Sequence, residues 1–182
     1  MHMSGKIKIG VIYGSTRIGR FCDKVAHWAA RQIAGTEGFE PVAIDPMHMT
    51  DGDELRSRIG ACDGFVVVTP EYNHGYPGAL KSLIDSVGVE WQAKPVAFVS
   101  YGGVSGGLRA VEQLRQVFAE LHAVTIRDSV SFAGAWEQFD GAGVLLHPER
   151  AERSMAAMLA RLRWWAAALR AAREAEPYET AA

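Results

Sequence analysis

Short apolar runs of strand length, each followed by a segment with helical apolar spacing, recur along this 182-residue chain. Residues 6–13 (KIKIGVIY), 64–68 (GFVVV) and 95–101 (PVAFVSY) are nearly unbroken apolar runs, the pattern of strands covered on both faces. In residues 21–34, Val25, Trp28, Ala29 and Ile33 share one face. After Pro77 that face is Leu80, Leu83, Ile84 and Val87, and in 107–121 it is Val111, Leu114, Phe118 and Leu121. Residues 41–44 read as a short second strand, at an edge because Pro41 cannot donate to a ladder. A short helix over 54–61, a fifth strand from about Val124 and a long helix over 148–173 complete the alternation. The last carries Met155, Met158, Leu159, Leu162, Trp165 and Leu169. Strands alternating with helices imply a doubly wound α/β fold, a parallel sheet with helices on both faces. Five strands suggest the order 2-1-3-4-5, with the ligand site at the carboxyl ends of strands one and three.

One domain accounts for the chain: a disordered lead over 1–5, a body over 6–173 and a tail over 174–182. Apolar residues at 48% and charged residues at 22% argue against disorder. A net charge of −2 provides no basic excess for nucleic acid or an anionic membrane. No apolar run approaches the roughly 20 residues of a membrane span, and no secretory leader pattern is present. Cys22 and Cys62 make neither a disulfide framework nor a metal site, so no metal is expected and a reducing cytoplasm is the natural setting. Cys22 falls near a helix start, where a thiolate is favoured; the alternative is a small packed residue.

Three loops should meet at the ligand end. The first, residues 14–20, runs directly into a helix and holds Gly14, Ser15, Thr16, Arg17, Gly19 and Arg20. Small residues let amides approach an anion, the helix dipole favours negative charge, and the hydroxyls of Ser15 and Thr16 add donors. Arg17 offers a charge-assisted contact to phosphate; Arg20 either does the same or is a solvated surface residue. There is no Gly-Lys-Ser/Thr and no G-x-G-x-x-G, so a mononucleotide phosphate fits better than ATP or a tightly held dinucleotide.

The second loop is Thr69-Pro70-Glu71-Tyr72-Asn73-His74-Gly75-Tyr76-Pro77, leading into Gly78-Ala79-Leu80-Lys81. Two prolines stiffen its ends, and Pro77 suits the first position of the next helix. Glu71, Tyr72 and Asn73 present amides and a side-chain amide to a heterocycle edge, and Tyr72 or Tyr76 presents a ring face. His74 is a candidate for a general acid, the plainer reading being a hydrogen-bonding or packing residue. The third loop, Ser100-Tyr101-Gly102-Gly103-Val104-Ser105-Gly106-Gly107, has four glycines in six positions, which lets backbone pass close to a ligand. One loop shaped for phosphate and two for a flat ring describe a flavin mononucleotide site.

Residues 14–17, the run from Pro70 through Lys81 with Asp85, residues 100–103 and Trp91 with Lys94-Pro95 together resemble the NADPH-dependent FMN reductase family of flavodoxin-like proteins. The resemblance covers roughly residues 6–172. It implies a flavodoxin-like sheet and FMN as cofactor, with Ser15, Thr16, Arg17, Gly19, Arg20, Phe21 and Cys22 around the phosphate. Pro70, Glu71, Tyr72 and Asn73 are then expected along the isoalloxazine, and Ser100, Tyr101, Gly102 and Gly103 at its far edge. It further implies an NAD(P)H oxidoreductase, with NADPH or NADH as hydride donor, and flavin N5 passing electrons to a small quinone-like, azo, nitro or free flavin acceptor. An FMN-binding electron carrier is the alternative. A homodimer, or a dimer of dimers, is expected through the helices after strands three and four, with Trp91 at the boundary. Residues 127–147, with Phe132, Trp136, Phe139 and Asp140, depart from a compact connection and either reach over a neighbouring site or form a surface loop.

Overall fold

A computed structural model describes residues 5–49 and 51–180. Among them the elements run β1 (Ile7–Tyr13), α1 (Cys22–Ala34), β2 (Phe39–Ile44), α2 (Gly52–Gly60), β3 (Gly64–Pro70) and α3 (Gly78–Asp85). They continue with β4 (Pro95–Gly102), α4 (Leu108–Glu120), β5 (Val124–Ala133), α5 (Ala135–Gln138) and α6 (Glu149–Ala175). Short 3₁₀ turns occupy Val89–Trp91 and Tyr178–Thr180. Of the expected lead, all but Gly5 lies outside the described residues, as do the last two residues of the tail. The strands form one parallel sheet in the order β2-β1-β3-β4-β5. No helix among the described residues is long and apolar enough to cross a membrane.

Alternation along each strand divides the core. Val11, Val66, Val68, Ala97 and Val99 face α1 and α6, while Ile12, Phe65, Val67, Val96 and Phe98 face α2, α3 and α4. All seven residues of β3 and all eight of β4 are buried, which explains their unbroken apolar runs. Gly10 in β1 makes this packing possible. A Cβ there would sit 2.7 Å from the Phe65 ring and 2.8 Å from Ile44.

Two departures from the sequence reading matter. First, Trp91 and the apolar face of α3 and α4 are consumed inside the chain and do not face a partner. The Trp91 indole is buried, donates to the carbonyls of Ile84 and Val87 at 3.1 Å each, and packs edge-on against Phe65 and Phe118. Second, residues 127–133 belong to β5, not to a long connection. The strand was obscured by a bulge: Val96 pairs with Thr125 and Phe98 with Ser129, so two steps on β4 face four on β5. Arg115 fills the gap, donating to the carbonyls of Ile126 (2.7 Å) and Arg127 (3.2 Å).

At the amino-terminal end of the sheet, Lys94 is buried and donates to the carbonyls of Ile59 and Gly60 at 2.9 Å each. These carbonyls end α2, where a cation is favoured. Burial nevertheless pushes the Lys94 ammonium down to a pKa of about 8.

Candidate functional site

The first loop leaves β1 with the Gly14 amide donating to the Val68 carbonyl at 2.8 Å. A Cβ on Gly14 would lie 2.6 Å from that oxygen, so the closeness of the first and second loops depends on glycine. Ser15 is buried, and its hydroxyl shares a 2.8 Å hydrogen bond with the Tyr72 hydroxyl. Thr16, Arg17 and Gly19 are exposed, Gly19 with φ +68°. Phe21 occupies the N-cap position of α1 without a side-chain hydrogen bond to the helix amides. The first turn therefore keeps amide donors that no capping side chain satisfies.

The two arginines part company. Arg17 is exposed, its guanidinium carbon 3.6 Å above the Tyr72 ring. Arg20, read from sequence as either a second phosphate contact or a solvated surface residue, has its guanidinium engaged within the protein. It bonds both oxygens of Asp45, one of them at 2.8 Å, Asp23 Oδ1 at 2.7 Å and the Ser15 carbonyl at 2.5 Å. Its side chain is only 4% exposed, so Arg20 ties the loop to the end of β2. The Asp45 hydrogen bonds hold the Arg20 charge more firmly than usual. In return, burial raises the Asp45 carboxyl while Arg20 and the Met47 amide outweigh it and hold it below the ordinary value.

Cys22 departs from the thiolate expectation. It is fully buried against β3, its thiol 3.7 Å from the Val68 carbonyl, and burial pushes its pKa up to about 11. The packed-residue alternative is the one the structure adopts.

In the second loop, Tyr72 and Gly75 exchange backbone hydrogen bonds of 2.9 and 3.1 Å around Asn73 and His74. Both central residues have positive φ, +50° and +71°, as a type I′ turn requires. Asn tolerates this region; His74 is held there from α4. Gln113 Nε2 donates to the His74 carbonyl at 2.9 Å, and Arg109 Nη1 lies 3.1 Å from His74 Nε2. Pro77 caps α3 from outside, in extended backbone, instead of opening the helix.

Glu71 joins the second loop to the third. Its carboxylate accepts from Ser105 Oγ (2.7 Å), the Arg109 amide (3.2 Å) and Arg109 Nε (2.6 Å), while its own amide donates to the Tyr101 carbonyl at 3.2 Å. Burial opposes its charge, yet Ser105 and Arg109 keep its pKa below the usual carboxylate value. Gly106 (φ +60°) and Gly107 (φ +84°) fold the third loop back on β4. The Gly106 carbonyl receives Ser100 Oγ at 2.8 Å and Ser131 Oγ at 2.9 Å, and a Cβ on Gly107 would lie 2.8 Å from Ser100 Cβ. Ser100 and Tyr101 are thus buried at the end of β4. Gly103 is exposed with no atom near a prospective Cβ. The Gly134 amide, just past β5, donates to the carbonyls of Gly102 (2.9 Å) and Gly103 (3.0 Å).

The structure therefore brings together Ser15, Arg17, Tyr72, Glu71 and the 100–107 loop, while the side chains of Arg20, Cys22, Ser100 and Tyr101 are taken up by contacts within the protein. Sequence reasoning missed Asp45, Ser105, Arg109 and Gln113 as supports; each lies far along the chain from the residue it holds. Other hollows lie away from these loops. A groove of about 710 Å³ between α4, β5 and α6 is lined by both charge signs, Arg115 and Arg127 with Glu112 and Asp128, and contains no aromatic face. The loop site is instead an open mouth at the carboxyl end of the sheet.

Comparison with known proteins agrees with this arrangement. The chain is 37% identical over 130 residues to an NAD(P)H-dependent FMN reductase of Schizosaccharomyces pombe, a match covering 60% of this chain and 64% of that protein. To an NAD(P)H:quinone oxidoreductase of Solanum tuberosum it is 33% identical over 178 residues, covering 85% and 90% respectively. The fold superposes on a flavoenzyme NAD(P)H:(acceptor) oxidoreductase of Paracoccus denitrificans with a TM-score of 0.72 at 21% identity, covering 87% of this chain and 97% of that one. Residues 7–137 match the profile of the NADPH-dependent FMN reductases, and this chain belongs to that family.

Proposed function

We propose that this chain is an FMN-dependent NAD(P)H oxidoreductase acting on small acceptors, with quinones foremost and azo, nitro and free flavin compounds in the same class. One observation carries the reading: three loops from β1, β3 and β4 are tied to one another at the ligand end of the sheet by the Ser15–Tyr72 and Glu71–Ser105 hydrogen bonds. The residues fit FMN. Uncapped α1 amides, the Ser15 hydroxyl and an exposed Arg17 suit a dianionic phosphate. The 70–73 backbone and the Gly102-Gly103 edge suit a planar ring. FMN held by these residues would supply hydride chemistry at N5 between NAD(P)H and the acceptor, with protons for a reduced quinone coming from solvent.

The side chains bind and position. Arg17, exposed over the Tyr72 ring, would hold the phosphate, while Arg20 and Asp45 hold the loop that presents it. Glu71, pinned by Arg109, keeps the ring-bearing turn in register with the glycine loop. Amides at the ring's polar edge favour the charge that accumulates on reduction. No side chain here is required as an acid or base, and His74 serves as part of the turn. A homodimer remains part of the proposal, supported by exposed Val89 and Leu108 beside α3 and α4, as does a cytoplasmic location. The test is spectroscopic. Purified protein given FMN should gain flavin absorbance, bleach with NAD(P)H under anaerobiosis and recolour on adding a quinone. A protein that gains no flavin absorbance refutes the site, and bleaching without steady-state quinone turnover favours the electron-carrier alternative.

A further inference from the structure

Trp136 has no place in the reading above, yet its position is specified closely. It stands on the four-residue α5 immediately after β5, at the same end of the sheet as the three loops. Trp136 is 58% exposed, although Phe132 and Phe139 on either side are buried in the core. The indole meets the Phe21 ring edge-on, with centroids 6.5 Å apart at 84°, and Phe21 in turn packs against Tyr101 at 5.8 Å. Trp136 is thereby placed beside the start of α1 and the end of β4, the two elements whose loops border the mouth. Val104 and Ile18, at the tips of the third and first loops, are fully exposed as well.

The segment bearing Trp136 is held from several sides. Gly134 is bonded to Gly102 and Gly103, Gln138 Nε2 donates to the Ala133 carbonyl at 2.6 Å, and the Leu146 amide donates to the Gln138 carbonyl at 2.8 Å. Lys24 Nζ reaches from α1 to the Asp140 carbonyl at 2.7 Å. A large aromatic residue kept in water by a fixed scaffold forgoes the stabilisation that burial would bring, roughly 25 cal/mol per Å² of apolar surface. Such a residue is suited to receive a flat apolar partner.

Resting on the flavin reading, we infer that Trp136 is the outer wall of the acceptor site and selects flat aromatic acceptors over compact non-aromatic ones. An aromatic acceptor entering over the ring site covers the indole face, while Phe21 keeps that indole upright. Stacking of this kind corresponds to about a threefold to tenfold change in binding.

The test compares FMN-loaded wild type, Trp136→Ala and Trp136→Phe. For the alanine variant, the KM for a naphthoquinone should rise about threefold to tenfold relative to the KM for ferricyanide, with quinone kcat changed less than KM. Calorimetric titration of the oxidised, NAD(P)H-free protein with the same naphthoquinone should show a matching loss of affinity. Phenylalanine should restore most of both. An unchanged KM ratio and unchanged calorimetric affinity in a variant that binds FMN normally overturn this inference alone. A dimer lost on removing the indole also overturns it, since the indole then serves a subunit contact. Wild-type protein that binds no FMN overturns the flavin site and this inference together.

Discussion

Arg17 and Arg20 sit three residues apart in one loop, and alanine substitution should separate their roles by opposite signatures. The Arg20 guanidinium bonds two carboxylates and a carbonyl with a side chain only 4% exposed. Breaking a buried pair by removing one partner costs about 3–5 kcal/mol; Asp45 retains 13% exposure, so the lower end applies, ~3 kcal/mol. For a chain of this length that lowers Tm by about 6–12 °C. Arg17 contributes only an exposed stack on Tyr72, about 0.5–1 kcal/mol, and Arg17→Ala should melt within about 4 °C of wild type. FMN affinity should show the reverse. Losing a charge-assisted phosphate contact costs about 1.5–3 kcal/mol, roughly 10- to 150-fold in Kd, for Arg17→Ala. Arg20→Ala should weaken FMN only through a looser loop. Thermal melts followed by fluorimetry provide Tm, and quenching of flavin fluorescence on titration provides Kd. Asp45→Asn should reproduce the Arg20→Ala melt. If Arg20→Ala melts like wild type and loses FMN as strongly as Arg17→Ala, Arg20 is the phosphate ligand and the tether argument fails. The acid side follows from the same pair. A carboxyl lowered in the folded state contributes stability above its unfolded value near 3.8, and that stability is lost as pH falls through the folded pKa.

Alkaline stability and His74 provide two further checks. Lys94 titrates near 8 when folded against 10.5 when unfolded, so the unfolded chain binds the extra proton and stability rises with pH from about 8. Cys22 and Cys62 titrate near 11 when folded against 9, so stability falls as pH rises above about 9. Tm should therefore peak near pH 9, and Lys94→Met should remove the rise between pH 8 and 9; a Tm falling steadily from pH 7 in wild type contradicts the assignment. His74→Asn keeps a side chain suited to φ +71° and should leave quinone kcat within about threefold; a loss of about 100-fold or more, the scale of a general acid, would make His74 catalytic.

Much of this protein was legible as pattern. Unbroken apolar runs in 64–68 and 95–101 identify strands covered on both faces, and helical spacing between them requires crossovers, so sheet order and the ligand end follow from local periodicity and connection rules. The three loops were equally visible, because glycine and proline mark backbone conformations that few residues adopt, whereas the turn at Asn73 and His74 appeared only in the structure. Roles within those loops were not. Nothing near Arg20 in the chain distinguishes it from Arg17; Asp45, 25 residues on, occupies one and leaves the other exposed. Trp91 looked like an interface residue because apolar character is visible in a sequence and its neighbour is not; Phe65 and Phe118, 26 and 27 residues away, bury it. The bulge that hid β5 depends on where β4 lies beside it. Sequence alone thus determines most of the strands and helices and the three ligand loops, since those are short-range choices of dihedral and period, while the full length of β5 waited on the sheet beside it. The tertiary structure decides which side chains remain available to a ligand, because hydrogen bonds and packing between residues distant in the chain settle that, and only folding brings them together.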